Sequence, residues 1–339
     1  MKRMMSFFIG LAAFLILACV VYFLGPTPHY ASFDSKIPSL ELELQELDHY
    51  IQQQETGIPN LKPNNESRIV WADSVRKTPY AVVYLHGFSA SPMEGHPTHV
   101  EFARRYGCNL YIPRLAGHGL DDKESFATLS PGDLIESAKE AIAIGKKLGD
   151  KLLLMSCSTG GTLSIYLAAL NPEEVEALIL YSPNIALADP ASSLLTKPWG
   201  VQLARSIVGK YRHIGGSSDN EGAKYWTQTY RTEGIVSLQV LLERSMLPEV
   251  FQQIHMPYFV GYYYKDETTH DEVVSVKAIE AFTRETSTPD HMKHVVTFPN
   301  AGNHVITSDL YSGELGAIQQ ATYRFAEEVL GMPPIIGTP

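Results

Sequence analysis

The chain has 339 residues, a formal net charge of −10 and three cysteines. That length accommodates one large core with an insertion, or two modest domains, and the ordinary apolar content excludes wholesale disorder. The acidic balance without a basic stripe argues against a nucleic-acid partner, and Cys19, Cys108 and Cys157 are too few for a disulfide framework.

Lys2 and Arg3 precede an apolar run from about Phe7 to Leu24, close to the roughly 20 residues a helix needs to cross a bilayer. The next basic residue is Lys36, so the positive-inside asymmetry puts the N-terminus in the cytoplasm and the body on the extracytoplasmic side, the periplasm in a bacterium. A cleaved signal peptide and lipid attachment at Cys19, after Ile16-Leu17-Ala18, are the alternatives. The run continues through Val20, Val21, Tyr22 and Phe23, which favours an uncut single-pass anchor over residues 1–25. Residues 26–64 read as a linker with one short helix. Pro26, Pro28 and Pro38 break its start, Leu40, Leu42, Leu44 and Leu47 alternate with glutamates, and Pro59 to Ser67 is a loop.

From Arg68 strands and helices alternate, which implies a largely parallel sheet. Ile69 to Trp71 is a first strand, and Tyr80 to Leu85 a buried second one running into His86-Gly87-Phe88-Ser89. Such a step is often a plain strand-end turn, but it is also where hydrolases with a nucleophile elbow place half of an oxyanion hole. Met93 to Tyr106 reads as a helix around Pro97, and Asn109 to Pro113 as a strand. His118, between two glycines, reads as structural. After a helix over Asp133 to Leu148 comes the most informative stretch, residues 150–161. The apolar strand Leu152 to Met155 ends in Ser156-Cys157-Ser158-Thr159-Gly160-Gly161, and an apolar helix follows at once. A serine on a tight strand-to-helix turn, with small residues two before and two after, describes a nucleophile elbow, with Ser156 in place of the usual first glycine of G-x-S-x-G. Backbone N–H groups of Phe88 and Thr159 would then receive the oxyanion.

In the order Leu85-His-Gly-Phe88, Pro113 to Gly119, Ser156 to Gly161 and Ala177-Leu-Ile-Leu-Tyr-Ser-Pro183, the chain resembles α/β-hydrolases of the esterase, monoacylglycerol-lipase and lysophospholipase type. The resemblance implies an α/β-hydrolase core over residues 65–184 and 256–331. It also implies an inserted helical cap over 185–255 and leaves a Pro/Gly tail at 332–339. The family's acid follows the strand Pro257 to Tyr264, often as D-x-V-V, which points to Asp271 in Asp271-Glu272-Val273-Val274. Asp266 lies nearer the strand end in a loop longer than usual. The base belongs in a glycine-containing loop before the final helix, which points to His304 rather than His270 or His294.

The expected chemistry is hydrolysis of carboxylic acyl esters through an acyl-enzyme on Ser158, with His304 as base and Asp271 orienting it. No metal or cofactor is expected, since no metal-ligand spacing occurs. The expected partners are a small or lipid-like acyl ester and a membrane. Aromatic and aliphatic residues of the cap (Trp199, Tyr225, Trp226, Leu238, Leu241, Leu242) suggest an apolar pocket for short to medium acyl monoesters. A peptidase or acyltransferase on the same three residues remains open. So does an inactive, membrane-tethered binding module, against which the complete set of three counts.

Overall fold

The structure is a computed structural model and describes residues 2–214 and 221–335. It opens with α1 (Lys2–Phe23), whose window Arg3–Phe23 has mean hydropathy 2.6 with none of it buried. Twenty-one residues at 1.5 Å each match the hydrocarbon thickness of a bilayer, so α1 is long and apolar enough to cross one. Helix α2 (Leu47–Glu55) buries Leu47 and Ile51, one turn apart, in the main core. The proline-marked segment before it is laid along the body: Asp34 pairs with Lys139 at 2.9 Å, and Asn171 donates to the Ser35 carbonyl.

Seven strands then build one sheet around the site. In chain order come β1 (Arg68–Val70), β2 (Thr78–Leu85), α3 (Thr98–Tyr106), β3 (Asn109–Ile112), α4 (Pro131–Leu148), β4 (Gly149–Cys157), α5 (Thr159–Leu170) and β5 (Ala177–Tyr181). After β5 follow α6 (Gly200–Val208), the small hairpin β6 (Tyr211–His213) and β7 (Thr229–Arg231), then α7 (Glu233–Ser245) and α8 (Pro248–Phe251). The chain re-enters the sheet with β8 (Tyr258–Tyr262), forms a second hairpin from β9 (Tyr264–Asp266) and β10 (Thr269–His270), and continues with α9 (Val276–Glu285), β11 (Lys293–Thr297) and α10 (Leu315–Arg324). The sheet order is β1-β3-β2-β4-β5-β8-β11, parallel throughout except for the edge strand β1.

Parallel strands need helices on both faces, and the residue pattern supplies two core layers. Along β2, Ala81, Val83 and Leu85 enter one layer with α4 and α5, while Val82 and Tyr84 enter the other with Phe102 of α3 and Ile318 of α10. The same alternation runs through β4 and β5, so the central strands are apolar on both sides. Helix α4 starts where a proline follows a capping box: Asp133 N–H donates to Ser130 Oγ (3.2 Å), and the Asp133 carboxylate accepts from Ser130 N–H (2.8 Å).

The stretch read from sequence as a cap divides in two. Between Pro190 and Arg231 the only buried apolar side chains among the described residues are Ala204 and Tyr230. By contrast α7 packs on α4 and α5, and Leu241, Val250 and Phe251 join the main core, so α7 and α8 serve as the crossover between β5 and β8. The helix expected from Met93 also divides, into a 3₁₀ turn over Pro92–Gly95 and α3.

Candidate active site

Strand β4 reverses into α5 within a single residue, Ser158, whose backbone sits at φ 52°, ψ −120°. A non-glycine residue there costs roughly 1–3 kcal/mol and persists only where its surroundings dictate it. Here Ser158 N–H donates to the Tyr181 carbonyl (3.1 Å), while its own carbonyl accepts from Gly161 N–H (2.8 Å) and Asn184 N–H (3.0 Å). The small neighbours are required by contact: a Cβ on Gly160 would press into the Leu85 carbonyl, and one on Gly161 would lie 2.8 Å from Pro183 Cβ. Ser156 is fully buried beneath the turn.

The loop after β2 is fixed by its own histidine. Leu115 N–H donates to His86 Nε2 (3.1 Å), so the ring proton is on Nδ1 and goes to the Gly87 carbonyl (2.9 Å). Complete burial, with His118 and Arg114 nearby, holds His86 well below the usual histidine range, hence neutral. A Cβ on Gly87 would fall 2.9 Å from Ser158 Cβ, so this peptide packs directly on the serine. The next amide is that of Phe88, whose ring meets Phe126, His118 and Tyr230. Thr159 heads α5, where the first N–H groups have no carbonyl one turn earlier.

The structure brings Asp271 and His304 together. Asp271 is 1% exposed, and its Oδ2 lies 2.6 Å from His304 Nδ1. Oδ1 accepts from the N–H groups of Val273 (2.9 Å) and Val274 (3.2 Å). Burial works against the charge of Asp271, yet His304 and these amides together hold it below the ordinary carboxylate range. Burial likewise opposes a charged His304, but the Asp271 carboxylate outweighs it and raises the ring above the ordinary value. With Nδ1 committed to Asp271, Nε2 of His304 is buried and has no hydrogen-bond partner among the described residues. Asp266 is exposed on the β9–β10 turn and accepts from Thr268 N–H (2.9 Å) and its hydroxyl (2.7 Å). The hairpin accounts for the long loop: it takes up the extra residues and returns the chain to the sheet edge at Asp271.

Of the other histidines, His118 is fully buried, bonds the Ala116 carbonyl (2.9 Å) and packs among His86, Phe88 and Phe126. Its burial lowers it to about 4, so it stays neutral. His270 lies on β10 and His294 on β11, against Phe259. The expected pocket residues do not gather at one place: Leu238, Leu241 and Leu242 are buried on α7, Trp226 packs on Tyr311, and Trp199 Nε1 donates to the Val21 carbonyl at the end of α1. One buried acid escaped the sequence reading. Glu94, 2% exposed, accepts from Gly87 N–H (2.8 Å); its only sequence signal is a carboxylate in an otherwise small and apolar loop after a central strand.

The family model described as "Alpha/beta hydrolase family" matches residues 82–309, which includes Phe88, Glu94, Ser158, Thr159, Asp271 and His304. The chain belongs to the α/β-hydrolase family. Among curated proteins, the hydrolase is 30% identical over 95 residues to the thermostable monoacylglycerol lipase of Bacillus sp. (strain H-257), a match covering 28% of this chain and 37% of that relative's length. Its fold is shared with a solved structure from the metagenome-derived lipolytic enzymes LipS and LipT (TM-score 0.64, 19% identity, covering 79% of this chain and 99% of that one). It is also shared with the monoacylglycerol lipase of Paleococcus ferrophilus (TM-score 0.56, 15% identity, covering 77% and 98%).

Proposed function

We propose that this hydrolase cleaves carboxylic acyl esters through an acyl-enzyme on Ser158, with His304 as general base and Asp271 as the acid that orients it. The observation that carries the reading is the 2.6 Å contact from Asp271 to His304 Nδ1, which leaves Nε2 without a hydrogen-bond partner among the described residues, and the strained turn that carries Ser158 supports it. His304 Nε2 takes the serine proton as Oγ attacks the acyl carbonyl, and Asp271 stabilises the imidazolium that forms. The tetrahedral oxyanion rests on the amides of Phe88 and Thr159, fixed donors that meet charge only as it develops. His304 then protonates the leaving alcohol, and a water deprotonated by the same ring frees the acid.

The substrate class follows from two supports. The curated relative reported above is a monoacylglycerol lipase, and the apolar rings of Phe88, Phe126 and Tyr230 cluster beside the proposed oxyanion donor. Each methylene buried on such rings adds about 0.8 kcal/mol, so a lipid-like monoester of short to medium acyl length is the preferred substrate. The described residues of 185–214 and 221–232 form the cap in this reading, and α1 is a single-pass anchor holding the body outside the cytoplasm, where membrane lipids supply the esters. A panel of chromogenic esters and matched amides tests the whole. Ester turnover that rises along the acyl series and falls at least about a thousandfold in Ser158→Ala is the expected result. Equal or faster cleavage of the amides would replace the esterase by a peptidase, and fluorophosphonate labelling that survives Ser158→Ala would remove the nucleophile assignment.

A further inference from the structure

A second buried carboxyl sits against the serine, on a different element from Asp271. Glu94 belongs to the 3₁₀ turn Pro92–Gly95, and its Oε2 accepts from Gly87 N–H (2.8 Å) and the Tyr84 hydroxyl (3.2 Å). Its Oε1 lies 2.8 Å from the point where a Gly87 Cβ would stand, and Ser158 Cβ lies 2.9 Å from the same point. Carboxyl and nucleophile thus flank one glycine. The backbone of Glu94 reaches the other loop: its carbonyl accepts from Thr307 Oγ1 (3.3 Å), and the Thr307 carbonyl accepts from Thr98 Oγ1 (2.8 Å), just beyond His304. Among the described residues no lysine or arginine pairs with Glu94. A buried acid without a counterion is costly, and a glutamine would accept the Gly87 bond without a charge, so packing alone does not account for it.

We propose that Glu94 is a positioning residue of the oxyanion hole: by holding the Gly87 amide its carboxyl fixes the peptide that presents Phe88 N–H. This rests on the ester-hydrolase reading above. The ionised carboxyl is the working form, because a charged acceptor binds Gly87 N–H more tightly and favours the imidazolium formed during attack. The titratable groups facing it are Tyr84 of β2, Cys157 of β4 and His304, with His99 of α3 packed on the Tyr84 ring. Burial pushes Glu94 up to about 7, against the opposing pull of Gly87 N–H and His304, so it changes charge near neutrality. Proton uptake by His304, as pH falls through its own raised value, removes the base, whereas uptake by Glu94 leaves an uncharged carboxyl whose carbonyl still accepts from Gly87.

The test uses the full-length protein and a chromogenic ester, with Ser158→Ala as reference and thermal melting as the check on folding. In Glu94→Ala, kcat falls about tenfold or more with KM within about twofold, less than the hundredfold or greater cost of deleting an oxyanion donor outright. Glu94→Gln regains most of that loss because its carbonyl still accepts from Gly87. The negative charge of Glu94 helps to raise His304, so in Glu94→Gln the acid limb of kcat/KM moves to lower pH than in wild type. The proposal is overturned by Glu94→Ala within about twofold of wild type, by a loss carried in KM, by a folded Glu94→Gln no better than Glu94→Ala, or by an acid limb in Glu94→Gln at or above the wild-type pH, which decides alone if Glu94→Ala does not fold. Turnover that persists in Ser158→Ala would instead sink the Ser158 acyl-enzyme reading beneath it.

Discussion

Asp266 and Asp271 share a loop and a side chain but occupy opposite environments. One is exposed and bonded to its own hairpin turn; the other is buried against His304 with two backbone donors on its second oxygen. Asp271→Asn should therefore lower ester turnover about 10⁴-fold, since an amide donor facing Nδ1 selects the wrong imidazole tautomer, while Asp266→Asn should stay within about twofold. The reverse ranking in steady-state kinetics would move the acid to Asp266. The pair also sets a pH dependence whose sign can be worked out. Asp271 raises His304, so the neutral base is present only above a value higher than the ordinary histidine one, and activity falls as pH drops through it. In Asp271→Asn burial remains and the counterion is gone, so the His304 ring should titrate at lower pH than in wild type. A ring resonance followed by NMR that titrates at the same or higher pH would contradict this.

Elements differ in how much of them local sequence specifies. The β4–Ser158–α5 unit was legible because an apolar run, a cluster of small residues and a helical run are contiguous, and their close packing leaves few other conformations. The start of α4 is equally local, with Ser130, Pro131 and Asp133 spelling a cap. Ser130→Ala should cost about 1 kcal/mol, read as a lower denaturant midpoint with activity per folded molecule unchanged; an unchanged midpoint would mean that the cap adds nothing to a helix already held by its buried face. What escaped depends on distant partners. The family resemblance put α7 inside the cap, and nothing local in its sequence told whether its apolar face meets α4 and α5 or a roof over the site. The β9–β10 pairing spans only a few residues, too short for an alternating pattern to register. Glu94 looks like any loop acid until the fold closes Tyr84, Gly87 and Cys157 around it.

At the scale of the whole molecule, α1 is continuous with a segment bound to the body at several points. Trp199 N–H donates to the Pro26 carbonyl (2.9 Å), Arg244 donates to the carbonyls of Tyr30 and Ala31 (3.1 and 3.0 Å), and Lys139 holds Asp34. In spheroplasts carrying the full chain, added protease should reach the body and leave a small membrane-held fragment containing α1; a body protected until the membrane is lysed would invert the proposed topology. The binding of residues 26–37 has a further meaning once α1 sits in a bilayer. A loose tether would let the catalytic body sample bulk solution, whereas a tether laid down along the body keeps the Ser158 face at one height above the lipid. On the proposed anchored, ester-cleaving reading, the site meets its substrate in two dimensions. Its rate then follows the mole fraction of ester in the surface rather than the concentration in the tube, and diluting that surface with inert lipid slows it even when total ester is unchanged.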